Sequence, residues 1–351
     1  MPMRRTFLGP RGWLRKETRT AIALGAVLAL VGAGAVLLSA QEQNDQDRGD
    51  STDVHPNGRG VGTVFYVPHG RGDLKEAPKA GKPNSGNGIF YHGGPVMLGQ
   101  ANVHYIWYGG WSGNLSGAEA ILNPLAQYID STPQDYFNIQ TSYYQQSGAT
   151  NSYVNDVVTQ AVSLFVTNYP ANSNTYSKSL SDNDILAIVR QALGQTTPDA
   201  KGVYFVLTSS DVTETSGFCS SYCAWHWSTI ANGAGLINGV DVKYAFVGDP
   251  ARCPSACEQQ TAASPNNNPG VDGMANLIAH ELDESVNDPD LDAWYDRAGN
   301  ESADKCAWTF GTVQRDAANG SVYNITLGGL KYLIQRNWVN AAGGYCSMSY
   351  P

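Results

Sequence analysis

Residues 271–289 read VDGMANLIAHELDESVNDP. With about 100° of rotation per residue, His280 and Glu284 point the same way one turn apart, while Met274, Ala275, Ile278, Leu282 and Val286 fill the opposite arc. The spacing predicts a helix over 273–286, capped by Asp272 and stopped at Asn287-Asp288-Pro289. Two metal-ligand side chains then share the face away from the apolar arc. Glu281 stands one step round from His280, where His-Glu-x-x-His metallopeptidases carry the carboxylate that takes a proton from zinc-bound water. Glu284 here replaces the second histidine, and a carboxylate oxygen is a legitimate zinc ligand. The competing reading is an ordinary amphipathic helix whose charged face meets water.

A catalytic zinc needs a third protein ligand and an open position for water. Glu301 is the first candidate, 17 residues after Glu284 on what reads as a following helix. Asp304 lies one turn further on, placed to hydrogen-bond a metal ligand. Asp288 competes with Glu301, being close in sequence where the helix ends. His226, in CSSYCAWHW, is a candidate ligand or stabiliser of a developing oxyanion, and equally a structural histidine. Asp288, Asp290, Asp292 and Asp296 stand at the first, third, fifth and ninth places of a calcium loop. Ala293 replaces its sixth-place glycine and Gly299 its twelfth-place acid, so calcium is the minor alternative to zinc.

Around this segment, strand-like runs rich in aromatic and β-branched residues occur at 103–108, 203–208 and 242–247. Helical patterns lie at 116–129, at 181–193 with Ser181 and Asp184 in capping-box positions, and at 327–338. Helices interleaved with strands predict one mixed α/β (α+β) domain. The helix bearing His280 makes a zincin-like arrangement the expectation, with a mixed sheet, an active-site helix and disulfides.

Residues 21–40, AIALGAVLALVGAGAVLLSA, carry no charge, follow six basic residues in 1–20 and precede the polar run QEQNDQDRGDSTD. This pattern predicts a signal peptide or a single membrane anchor, so that everything after it lies outside the cytoplasm. Residues 41–88, rich in Gly, Asn, Asp, Pro and Lys, read as a linker or loosely held arm, and 89–351 as the globular domain. The whole chain has 22 Lys and Arg against 31 Asp and Glu, and the first forty residues hold six of those bases but one of the acids, Glu17. The remainder is too acidic to displace counterions from phosphate, which excludes a nucleic-acid partner. Membrane contact is expected only through 21–40.

All six cysteines, Cys219, Cys223, Cys253, Cys257, Cys306 and Cys346, lie in the last 133 residues, and an even number in an exported chain predicts disulfides. Each Cys-x-x-x-Cys pair is short enough to close on itself, because one helical turn sets its alpha carbons about 6 Å apart. That predicts Cys219–Cys223, Cys253–Cys257 and Cys306–Cys346. A zinc site built from the two Cys pairs is the competing reading.

Five segments resemble, in the same order, the EXORDIUM family, also called the phosphate-induced protein family. They are YHGGPVMLGQANVHYIWYGGW, KGVYFVLTSSDV with GFCSSYCAWHW, YAFVGDPARCPSACEQQ, GVDGMANLIAHELDESVNDP and LGGLKYLIQRNWV. The resemblance implies a secreted or cell-wall protein related to plant growth proteins of no settled biochemical activity. Plant members carry an apolar helix without His-Glu at the places of His280 and Glu281, so the chain resembles a microbial branch carrying a metal-site pattern.

Two functions follow as expectations. The first is an exported zinc-dependent hydrolase, a metallopeptidase acting on a peptide or cell-wall substrate, with His280, Glu284 and Glu301 on the metal and Glu281 as general base. The second is a non-catalytic secreted wall or surface protein in which some of the 8 Trp and 19 Tyr form sugar-stacking surfaces.

Overall fold

The computed structural model describes residues 88–351 apart from Ala298. The basic leader, the apolar segment 21–40 and the arm up to residue 87 lie outside the described residues. Among the described residues, no helix is long and apolar enough to cross a membrane.

The three apolar runs fold as the central strands of one six-stranded sheet. Its strands are β1 (Ala101–Tyr108), β2 (Val158–Gln160), β3 (Leu164–Val166), β4 (Gly202–Thr208), β5 (Ala224–Ser228) and β6 (Lys243–Gly248). The order is β5-β6-β4-β1, with β2 and β3 side by side along the far edge of β1. All neighbours are parallel except β5, which runs antiparallel to β6. Every residue of β4 and β6 is buried, as expected for parallel strands covered on both faces, and this explains their unbroken apolar runs.

Helix α1 (Leu115–Tyr128) follows β1 and leads to β2, and helix α2 (Asp182–Leu193) leads to β4 on the other side of β1. Right-handed crossovers in opposite directions put these helices on opposite faces. The capping box of α2 forms as its sequence predicts, with Ser181 Oγ accepting from Asp184 N and the Asp184 carboxylate accepting from Ser181 N at 2.7 Å.

After β6, a short helix α3 (Pro254–Cys257) precedes the long helix α4 (Pro269–Asn287). Helix α4 packs on α1 and on strands β4, β5 and β6. It begins four residues before the expected start. Pro269 opens it, because a proline at the first helical position lacks only an N–H that the helix does not use. Asp272 is therefore inside the first turn, accepting from Asn266 N at 2.9 Å, rather than at the cap. The competing reading, an amphipathic helix whose charged face meets water, fails: every residue from Gly270 to Asn287 is buried. The carboxy-terminal segment and the loop bearing Ser302 cover the side that the sheet leaves open.

The helix expected over 327–338 is absent. Ile325–Leu327 and Leu330–Tyr332 form a hairpin instead, and Asn337–Val339 pairs with Tyr345–Ser347. Gly328 and Gly329 both take positive φ, 56° and 85°, which suits a two-residue hairpin turn and breaks a helix. A Cβ at Gly328 would also lie 2.4 Å from the Tyr128 ring.

The cysteine pairing differs from local closure. Cys219 bonds Cys253, Cys223 bonds Cys257, and only Cys306–Cys346 forms as expected. The loop 217–223 lies alongside α3, so the two Cys-x-x-x-Cys pairs join as rungs between segments. Both rungs span a Cα–Cα distance of 5.7 Å, within disulfide reach, just as local closure would have been. Because all six thiols are bonded, a zinc site on the cysteines is ruled out.

Candidate metal centre

Four elements bring the candidate side chains together. Helix α4 supplies His280, Glu281 and Glu284. Strand β5 supplies His226, whose side chain alternates with Trp225 and Trp227 to face the helix; Cys223–Cys257 anchors the strand one residue before it begins. The loop after α4 brings Glu301, and the one-turn 3-10 helix Asp304–Cys306 brings Asp304, rather than the following α-helix that the spacing suggested.

His226 Nε2 lies 3.2 Å from Glu301 Oε1 and 3.9 Å from Glu284 Oε2. His280 Nε2 lies 3.2 Å from Glu284 Oε2 and 3.6 Å from Asp304 Oδ1. Two triads result, His226–Glu284–Glu301 and His280–Glu281–Glu284, each with one ligand atom per residue and all within 4.8 Å of one another. Glu284 belongs to both. Zinc bonds of about 2.0–2.1 Å in a tetrahedron separate ligand atoms by about 3.3 Å, so the spacing of the imidazole and carboxylate atoms fits such an ion.

The surroundings hold these groups in place. Glu284 Oε1 accepts from the backbone N–H groups of Ala303 and Asp304, both at 3.1 Å, which leaves Oε2 for the cluster. Asp304 Oδ2 accepts from Glu301 N at 3.1 Å. Gln335 Nε2 sits 2.8 Å from His280 Nδ1 and donates to the Ala303 carbonyl at 3.1 Å, while Gln335 N donates to Asn276 Oδ1 at 2.7 Å. This anchored amide fixes the plane of the His280 ring, with Nδ1 accepting from the amide N–H; a metal on Nε2 would require the amide to turn over so that Nδ1–H donates to its oxygen. Gln335 lies in the LGGLKYLIQRNWV segment that resembles the family, but that segment reads as a helix and its spacing does not point to His280.

Burial dominates the electrostatics. His280 is 0% exposed, Glu281 1%, Glu301 2%, and His226 and Glu284 3%. Burial alone would lower the His280 pKa, but the charge of Glu284 and contacts with Asp304 and Glu284 outweigh it and hold the imidazole well above its ordinary value. Burial raises Glu281 strongly; the His280 charge opposes the shift, and the charges of Glu284, Asp304 and Glu301 add to it. Glu281 Oε1 has no hydrogen-bond partner in its buried place. Asp283, raised by burial, accepts from Asn337 on the other side of the helix. So many buried carboxyls are costly unless protons or a cation neutralise them.

Asp288 stands outside both triads. It follows the last residue of α4, and its Oδ1 accepts from Ala293 N at 2.7 Å. The acidic run that resembles a calcium loop diverges in the same way. Asp290 pairs with Lys243 at 2.7 Å, and Asp296 faces Lys305 at 3.3 Å and Asn300.

Residues 89–348 match the family profile described as "Phosphate-induced protein 1 conserved region". Among curated proteins, the chain is 29% identical to Protein EXORDIUM-like 3 of Arabidopsis thaliana, over 73% of this chain and 82% of that protein. It is likewise 29% identical to Protein EXORDIUM-like 5 of the same plant, over 71% and 74%. With Protein PHOSPHATE-INDUCED 1 of Nicotiana tabacum the identity is 25%, over 70% and 83%. No solved structure matches the chain, so no structural relative stands behind a zincin-like identity. With the profile covering the sheet, the disulfide ladder and the buried cluster alike, the chain belongs to the EXORDIUM or phosphate-induced protein family.

Proposed function

We propose that this is a non-catalytic, exported wall or surface protein whose fold is clamped by three disulfides and one buried zinc ion. The meeting of His226, Glu284 and Glu301 from a strand, a helix and a loop, with His280 adjoining through Glu284, carries this reading. His226, Glu284 and Glu301 make a three-ligand nitrogen and oxygen set that zinc accepts, and His280 adjoins it through Glu284. Ligands exposed by 3% or less leave a peptide no approach, whereas a catalytic zinc keeps one position open. The relatives carry names, EXORDIUM-like 3 and PHOSPHATE-INDUCED 1, that state no catalytic activity, in keeping with a non-catalytic role. Export is supported by the apolar segment at 21–40 and by the disulfides. Metal analysis of the full-length protein tests the reading. About one zinc per chain is expected, and its removal by a chelator should lower the melting temperature by roughly 10 °C or more. A metal-free protein that melts at the same temperature with and without added zinc would refute it.

One observation favours the hydrolase as a second reading. Glu281 presents an unpartnered carboxyl oxygen beside the cluster, in the place of a proton acceptor for metal-bound water. Turnover of a peptide library by the zinc-loaded protein, abolished in Glu281→Gln, would put this reading first.

A further inference from the structure

A second site lies at the carboxyl ends of the parallel strands, in residues the metal centre does not use. The connections from β1 run to β2 and β3 on one side and, by way of α2, to β4 on the other, so the ends of β1 and β4 flank the switch point of the sheet. Ligands of open α/β sheets bind in the crevice at such a point. At the same end of the sheet, on the β3 side of β1 rather than between β1 and β4, lies a cleft of 690 Å³, within the usual range for ligand pockets of about 300–1,000 Å³.

Its walls are aromatic. Trp107 and Phe165 are register partners on β1 and β3, and Trp111 packs edge-on against Trp107 with ring centroids 4.9 Å apart. Phe165 is 52% exposed, an apolar ring held in water on the rim. Tyr176 closes another side, its hydroxyl donating to Asp211 at 2.8 Å. The buried Trp107 indole N–H has no hydrogen-bond partner. Gly110 keeps the floor open, since a Cβ there would lie 2.5 Å from the Tyr176 hydroxyl.

The chemistry of the cleft selects its occupant. A glycine-rich loop leading into the amino end of α1 would suit an anion, but no lysine, arginine or histidine lines the cleft. The charged side chain that does line it is the carboxylate of Glu119, one turn into α1. Phosphate and uronate ligands are thereby disfavoured. A neutral ligand with flat apolar faces for the rings and hydroxyls for the carboxylate fits instead, and that combination describes a sugar ring. We infer that the aromatic cleft between β1, β3 and α1 binds a neutral oligosaccharide, with the exposed Phe165 ring as the stacking face, Trp107 and Trp111 packed as the wall behind it, and Glu119 accepting from ring hydroxyls. This stands whether or not the metal centre holds zinc.

Calorimetric titration of the full chain with cellohexaose, xylohexaose and chitohexaose, each to about 5 mM, tests the inference. At least one hexasaccharide should bind and shift the tryptophan fluorescence. Phe165→Ala should weaken that binding at least about tenfold, and Glu119→Gln should also weaken it, with melting temperatures unchanged. Ser116→Trp, at an exposed position on the cleft, should block it even if Phe165→Ala folds poorly. Tyr153→Ala, which removes a ring 56% exposed outside the cleft, should bind as the native protein does. Failure of all three sugars, binding unaffected by both Phe165→Ala and Ser116→Trp, or preference for a decaproline peptide over every sugar would overturn it.

Discussion

His226 Nε2 and Glu301 Oε1 lie 3.2 Å apart although 75 residues separate them in the chain, and both are buried to within 3% of full enclosure. A buried imidazole facing a buried carboxylate, with Glu284 and His280 adjoining, is what a metal ion would bridge. The consequences can be tested one group at a time.

Glu284 is shared by both triads, so its loss should be felt most. Glu284→Gln keeps the shape but replaces a good zinc oxygen with a neutral amide. Zinc affinity, measured by competition with a chelating dye, should fall about a hundredfold or more. An unchanged affinity would remove Glu284 from the ligand set.

Glu281 should behave differently. Burial raises its pKa and its Oε1 makes no hydrogen bond, so the group is costly where it stands. Glu281→Gln should keep one zinc per chain and melt no lower than the native protein. A loss of metal equal to that of Glu284→Gln would make Glu281 a ligand.

Gln335 should act through His280. Gln335→Leu leaves the ring without its amide neighbour, while Asn276 keeps its backbone donor, since Gln335 N remains. Zinc affinity should drop about 10–100-fold while the disulfides and the fold persist, read by dye competition and circular dichroism.

Peptide mapping without reduction should recover Cys219–Cys253 and Cys223–Cys257 as separate linked peptides after cleavage at Tyr222 and Ala256. Either bridge alone closes a loop with a sequence separation of 34, about 4 kcal/mol in the chain-entropy picture, and the second rung adds less because the first has already closed most of that loop. Replacing Cys223 and Cys257 together with Ser should also weaken zinc binding, because β5 and His226 begin just beyond Cys223. Recovery of Cys219–Cys223 would contradict the ladder.

Asp156 supplies a pH signature away from the metal centre. Burial, a hydrogen bond to Asp135, and the charges of Asp135 and Asp130 push its pKa up to about 7. An acid raised above its unfolded value keeps its proton longer in the folded state, so stability falls as pH rises from about 4 through 7. Asp156→Asn should flatten that decline and melt roughly 1–3 °C higher at pH 8, measured by thermal denaturation across the range. A variant that tracks the native curve would show that the carboxyl is not perturbed.

Local interactions made much of the fold legible in the sequence. The apolar runs became β1, β4 and β6, and the capping box of α2 formed where Ser181 and Asp184 stand three residues apart. The one-turn spacing of His280 and Glu284 set both on one side of α4, and the cysteine count announced three bridges. Tertiary structure decided the rest, because each outcome depended on what lies across space. Periodicity shows which residues share a helix face but not whether that face meets water, and here the covering segments bury it. Both local and crossed cysteine pairings satisfied the same Cα distance, and the placement of α3 beside the loop 217–223 chose the ladder. Residues 327–338 had helical spacing, yet the Gly328-Gly329 turn and pairing with neighbouring strands won over propensity. The arrival of His226, Glu301 and Gln335 around one helix is a property of the packed chain, since 75 residues separate the first two and no local pattern relates them.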